Sequence, residues 1–144
     1  MRVSEKKQRV RTWTMGVAAA LIVGGVAAQA HHSVAGAYDR NREATIYGAI
    51  SEFRFVSPHP MVTVTESDGQ SWLFELDNLR EFRFIGFTAS DLKVGDRIVV
   101  RGWLARREAK QLYAMHLERP IDGFGFEQVG SRPRLLDPRS SGDR

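Results

Sequence analysis

This 144-residue chain has four histidines and no cysteine, so its candidate nitrogen or sulfur metal ligands are histidines. His31 and His32 are adjacent, and His59 lies in the run Ser57-Pro58-His59-Pro60. Imidazole is a common ligand of transition metals, and an amino-terminal histidine would offer both its ring and its free amine to one ion. Because copper(II) prefers nitrogen-rich ligand sets, His31, His32 and His59 form a candidate copper site if His31 begins the mature chain.

The alternative is that these histidines bind no metal. Two histidines at a chain end can simply be solvated, and His59 can be an ordinary member of a loop stiffened by two prolines. The third mature residue would be Ser33, so the separate copper motif that needs histidine at position three is absent. His116 falls within a predicted strand, and we expect it to be structural.

Residues 1–30 predict the export signal that would make His31 the first residue. Basic residues from Arg2 to Arg11 precede the uncharged run Trp13–Ala28. The segment closes on Ala28-Gln29-Ala30, the small-x-small pattern that precedes signal-peptidase cleavage. Arg9 and Arg11 are not adjacent, so we expect the general secretion route and a periplasmic mature protein rather than twin-arginine export.

An uncleaved membrane anchor is the alternative reading of this segment, because its uncharged stretch approaches the roughly 18 to 20 apolar residues that span a bilayer. The strongly apolar part is short, and Gly24-Gly25 weakens a helix near its end. The residues next to the cut are small rather than large and aliphatic. These features favour cleavage, after which we expect no stable membrane insertion.

Cleavage changes what the net charge implies. The formal charge is +4, and residues 1–30 hold five of the 21 basic and one of the 17 acidic side chains, so 16 of each remain. A balanced mature domain gives no argument for a nucleic-acid partner. Arg101, Trp103, Arg106 and Arg107 have the composition of a single-strand binding surface, but on a neutral exported domain a solvated face is expected. The expected partner is an envelope protein or a small ligand.

The hydrophobic pattern predicts a mainly β domain over residues 44–129. The predicted strands are Ala44–Val56, Met61–Glu66, Ser71–Leu76, Arg97–Leu104 and Gln111–Leu117. Between the third and fourth lies a short predicted helix that Asp77 or Asn78 caps, that runs through about Ile85 and that Gly86 ends. This is the order of the OB-fold, a five-stranded Greek-key barrel whose helix between strands three and four closes one end. A generic α+β sandwich is the alternative.

The same pattern predicts the core and the chain ends. Four strand residues should face inward, namely Trp72, Phe74, Ile98 and Val100, with Phe82 contributed by the helix. On strand five, alternation assigns Leu112, Ala114 and His116 to one face and Tyr113, Met115 and Leu117 to the other. Phe124 and Phe126 are expected to pack on the barrel. Residues 31–43 form a separate amino-terminal segment, and residues 130–144 are expected to be disordered.

Recognisable catalytic motifs are missing. The chain has no serine-hydrolase elbow, no phosphate-binding P-loop and no HExxH zinc motif. Its aspartates at 68, 77, 91 and 96 lie where turns or helix caps favour them. Two hypotheses follow. The first is a periplasmic binding or interaction module without catalysis, and the second is a copper-binding protein, with redox chemistry at an open coordination position.

Five motifs resemble a known family as an ordered set. They are His31-His32-Ser33, Thr45-Ile46-Tyr47-Gly48, Pro58-His59, Trp72 with Phe74-Glu75, and Leu92-Lys93-Val94-Gly95-Asp96. The set resembles a family of small exported bacterial proteins of unknown function, over roughly His31 to Arg119. That family usually has Asn-Pro-His followed by an apolar or aromatic residue, where this chain has Ser57-Pro58-His59-Pro60. The resemblance brings no established activity, and the OB-fold expectation rests on topology, which does not imply function.

Overall fold

A computed structural model of the chain describes residues 34–138. These residues form two short helices and seven strands. In chain order they are α1 (Val34–Ala37), β1 (Tyr38–Arg54), β2 (Met61–Thr65), β3 (Ser71–Glu75), α2 (Leu79–Phe84), β4 (Arg97–Ala105), β5 (Gln111–Arg119), β6 (Phe124–Val129) and β7 (Arg132–Leu136). Within this part of the chain, neither helix has the length and apolar content needed to cross a membrane.

Strands β1 to β5 close into a barrel. β1 pairs with β2 and β4, β2 pairs with β3, and β4 pairs with β5, all antiparallel. The parallel pairing of β3 with β5 completes the ring. The predicted five-stranded barrel with a helix between the third and fourth strands is confirmed, and the sandwich alternative is wrong.

Helix α2 begins and ends within one residue of the predicted positions. The Asn78 side chain accepts a 2.8 Å hydrogen bond from the Arg80 amide, which caps the amino end of the helix. Gly86 follows the helix with φ of 83°, a conformation that glycine adopts without steric cost. Leu79 and Phe82 face the barrel and are buried.

The barrel interior is filled with apolar side chains. Phe74, Phe82 and Val100 are fully buried, and Ile98 is 2% exposed. Trp72 is half-buried against this core, because its indole Nε1 reaches outward to donate a 2.7 Å hydrogen bond to Glu66. The predicted core is therefore confirmed, with Trp72 at its margin.

Strand β5 contradicts the predicted faces of His116 and Leu117. Arg101 pairs with His116 whereas the next residue, Gly102, pairs with Ala114, so one extra residue of β5 lies in a bulge. A bulge exchanges the faces of all residues beyond it. Leu117 is consequently fully buried, and His116 lies half-buried with Nε2 3.4 Å from Glu118.

The structure also differs at both ends of the predicted domain. β1 begins at Tyr38, six residues before the predicted start. The hydrophobic pattern missed this part of the strand because only Tyr38 is buried there and the next five residues, 39–43, are polar. Residues 132–136, expected to be disordered, form β7, which pairs with β6. Leu135 packs against the core beside buried Phe124 and Phe126, as predicted for the two aromatics.

Candidate functional site

The polar groups of interest lie outside the barrel, where β3 and β5 meet. Phe74 and its partner Leu112 are fully buried in the interior. Side chains alternate along a strand, so the next pair, Glu75 and Tyr113, lies on the outer surface. We call this outer surface, with the residues that cover it, the seam.

The first described residues of the chain cover the seam. Tyr38, Ala105 and Tyr113 form a second small apolar cluster, and Val34 and Ala37 of the amino-terminal segment pack against it. The Arg106 amide donates a 2.9 Å hydrogen bond to the Ala37 carbonyl. Helix α1 and the start of β1 are thereby attached to the outside of the barrel.

Glu75 is the central acceptor of the seam. Its Oε2 accepts a 2.5 Å hydrogen bond from the Tyr38 hydroxyl, which in turn accepts a 2.8 Å bond from Gln111 Nε2. Burial, followed by the hydrogen bond to the Glu75 carboxylate, raises the pKa of Tyr38 well above its ordinary value. Tyr38 therefore stays protonated and continues to donate to Glu75 at neutral pH.

His59 reaches the same carboxylate from the loop between β1 and β2. Backbone hydrogen bonds hold the two prolines around it, since Pro58 accepts from Leu79 at 3.0 Å and Pro60 accepts from Leu76 at 2.9 Å. His59 Nδ1 lies 2.9 Å from the Leu76 carbonyl oxygen and 3.6 Å from Glu75 Oε1. A carbonyl can only accept, so the geometry assigns a proton to Nδ1 and, in the neutral ring, leaves the lone pair on Nε2.

A second polar contact borders the seam beyond Glu75. Gln128 Nε2 donates a 2.6 Å hydrogen bond to Asp77 Oδ2. Burial, followed by the negative charge of Asp77, raises the pKa of Tyr113 above its ordinary value. The Tyr113 ring stacks on Trp103 with centroids 6.0 Å apart, and the Arg40 guanidinium lies 5.0 Å from the Trp103 ring.

Of the three predicted metal ligands, His59 lies at the seam, whereas His31 and His32 lie outside the described residues. Residues 34–138 contain no group of three or more His, Asp or Glu side chains arranged to hold a metal. The predictions from sequence missed Tyr38 and Glu75. Alternation along β3 could have assigned Glu75 to the outer face, but nothing local indicates that Tyr38 contacts it across 37 positions.

Two of the aspartates and two arginines of the Arg-Trp cluster have structural partners. Asp91 accepts from the Thr88 amide and hydroxyl, and Asp96 accepts a 2.7 Å bond from Arg119. In the cluster, Arg101 lies 3.7 Å from Glu43, and Arg106 lies 3.6 Å from Asp39. These local ion pairs are typical of a solvated face.

Residues 17–112 match the model of a family of unknown function, DUF6152. The match covers more than half of the chain and includes β1 to β4, α2 and the start of β5. No curated protein matches the chain. The predicted resemblance to an uncharacterised family is thus confirmed, and the chain belongs to the DUF6152 family.

Proposed function

We propose that this protein is an exported periplasmic binding module that catalyses no reaction. One observation carries the proposal. All buried side chains of the barrel interior in residues 34–138 are hydrophobic, whereas His59 and Glu75 lie together on the outer seam with 31% and 24% of their side chains exposed. A filled interior leaves the outside as the place for a ligand, and the seam offers it fixed polar groups.

The export half of the proposal rests on the signal pattern of residues 1–30 and is tested by processing. The full chain, expressed in a Gram-negative host, is expected in the periplasmic fraction with His31 as its first residue. An Ala28→Arg, Ala30→Arg variant should accumulate as precursor, because signal peptidase requires small side chains there. An Ala19→Val variant is the matched control. Equal processing of all three chains would contradict cleavage after Ala30.

Copper binding is a second candidate function, and the His59 ring supports it. Metal-bound histidines commonly donate the other ring N–H to a backbone carbonyl or a carboxylate, which fixes the ring and its tautomer. His59 Nδ1 has this contact with Leu76 and has Glu75 nearby. Nε2 has no hydrogen-bond partner among the described residues and remains for a metal.

The participation of His31 and His32 rests on the sequence pattern, since both lie outside the described residues. Val34 and Tyr38 pack at the seam, and Tyr38 contacts the same carboxylate that lies beside His59. In this proposal the His31 amine and ring bind one copper(II) ion, and His32 or His59 completes the nitrogen set.

Calorimetric titration of the mature protein with copper(II) tests this site. His31→Ala and His59→Ala should each weaken binding, and one residue added before His31 should do the same by removing its free amine. His116→Ala is the matched control, since His116 is also half-buried but lies on β5. If cleaved wild type and a His31→Ala, His59→Ala double variant bind copper equally, or if neither binds, the site does not exist.

A further inference from the structure

We propose that the exposed face shared by α2 and the start of β7 docks an acidic segment of a partner protein. The face comprises Arg80, Arg83 and Phe84 of α2 with Arg132 of β7, and we call it the Phe84 surface. The proposal rests on the binding-module function above and names the class of partner. It does not depend on the copper site.

Phe84 is the exception among the eight phenylalanines of the chain. The other seven either belong to the main core or pack against it. Phe84 is 80% exposed, because Leu79 and Phe82 occupy the core-facing side of α2 and leave it on the opposite side. A single exposed apolar side chain is ordinary on a protein surface. Phe84 matters because arginines surround it, and aromatic residues and arginine are both enriched at protein interfaces.

The three arginines around this ring have no charge partner in the part of the chain that the structure describes. Arg80, Arg83 and Arg132 make no ion pair and no side-chain hydrogen bond within residues 34–138. Other exposed arginines do pair, as Arg134 does with Glu127. Glu81 lies beside them, so the patch carries a surplus of two positive charges.

The shape and chemistry favour carboxylates. The four residues of the Phe84 surface and Glu81 line an open depression of about 480 Å³. A guanidinium group matches a carboxylate through two parallel hydrogen bonds, and interface hot spots are rich in arginine and aromatic residues. An acidic segment with an apolar side chain would pair the arginines and cover Phe84 together.

An anionic membrane is the less suitable occupant of this face. Helices that lie on membranes insert a broad apolar face between the headgroups. α2 has only six residues, and its apolar side, Leu79 and Phe82, is buried in the barrel. Phe84 is then the one large apolar side chain that this helix can present to lipid, which is too little for stable attachment.

The test uses purified mature protein and a defined probe, a short synthetic peptide with glutamates on both sides of a Leu-Leu pair. Its control is the same peptide with glutamine in place of glutamate. Wild type should bind the acidic peptide more tightly, and added salt should weaken the complex. Arg83→Glu and Phe84→Ser should each weaken binding about tenfold or more, as expected for hot-spot residues.

Arg107→Glu is the matched control, because Arg107 is exposed and has no ion pair among the described residues. Its affinity for the peptide should equal that of wild type. Equal affinity for the two peptides, or equal losses at residues 83 and 107, would overturn the proposal. A membrane would be the occupant instead if phosphatidylglycerol vesicles bind wild type but not the Arg83→Glu variant, while the acidic peptide binds both equally. That result would also overturn the proposal. Each readout is independent of export.

Discussion

The Tyr38 hydroxyl donates a 2.5 Å hydrogen bond to Glu75, which joins the first residue of β1 to the last residue of β3. This bond attaches the amino-terminal segment to the outside of an already closed barrel. Glu75 also lies 3.6 Å from His59 through its other oxygen. A single carboxylate therefore connects the start of the described chain with the loop between β1 and β2.

Removal of the Tyr38 hydroxyl should measure the strength of this attachment. Tyr38→Phe keeps the ring in the second apolar cluster but leaves Glu75 without its donor. We expect the free energy of unfolding in urea to fall by about 1 to 3 kcal/mol. Tyr47→Phe is the control, because Tyr47 is 64% exposed, and it should change stability by less than about 0.5 kcal/mol.

Alkaline pH should destabilise the fold through Tyr38 and Tyr113. Both have a pKa raised by burial above the ordinary value of 10.0. The folded state then keeps protons that the unfolded chain loses, so this stability is fully present below about pH 10 and decreases above it, by up to about 1.4 kcal/mol per pH unit for each tyrosine. The stability difference between wild type and Tyr38→Phe should shrink from about pH 8 to about pH 11. A constant difference would be inconsistent with the raised pKa.

Phe74 is fully buried and Phe84 is largely exposed, so removal of each ring should affect stability very differently. Phe74→Ala removes a fully buried ring from the barrel and should lower the free energy of unfolding by about 3 to 5 kcal/mol. Phe84→Ala should have an effect below about 0.5 kcal/mol, since the ring is 80% exposed. Denaturant unfolding compares the two variants directly. A large loss for Phe84→Ala would make it a structural residue and remove its role in docking.

Gly102 should tolerate no side chain. An added Cβ would collide with the carbonyl oxygen of Tyr113 on the paired strand, and the backbone there cannot move without opening β4 and β5. Gly102→Ala should therefore cost about 1 to 3 kcal/mol or more. Gly36→Ala is the control, because no atom of residues 34–138 lies within 4 Å of the new Cβ, and it should be neutral or slightly stabilising. Thermal melting compares the two variants, and equal melting temperatures would contradict the predicted clash at Gly102.

Much of the barrel could be predicted because local signals agree with it. Val62 and Val64 alternate with polar neighbours along β2, and Asn78 and Gly86 mark the ends of α2. The bulge in β5 could not be predicted, because no residue type near Met115 requires it. It results from pairing with β4, and it alone exchanges the faces of His116 and Leu117.

The candidate site was predicted only in part, for the same reason. His59 stands out in the sequence because two prolines flank it. Its contact with Glu75, and the contact of Glu75 with Tyr38, depend on the parallel meeting of β3 and β5 and on the folding of residues 34–38 over it. The exposure of Phe84 could not be predicted either, because the apolar pattern of so short a helix leaves open whether Phe84 or Ile85 faces the core. In the structure Ile85 packs against the core and Phe84 is exposed.

Native mass spectrometry of protein recovered from the periplasm tests the proposed function most directly. The proposal predicts one species that lacks residues 1–30 and begins at His31. After addition of one equivalent of copper(II), the copper hypothesis predicts a mass increase of a single ion, which His59→Ala diminishes and His116→Ala does not. A chain that retains residues 1–30 and is absent from the periplasmic fraction would contradict the exported module.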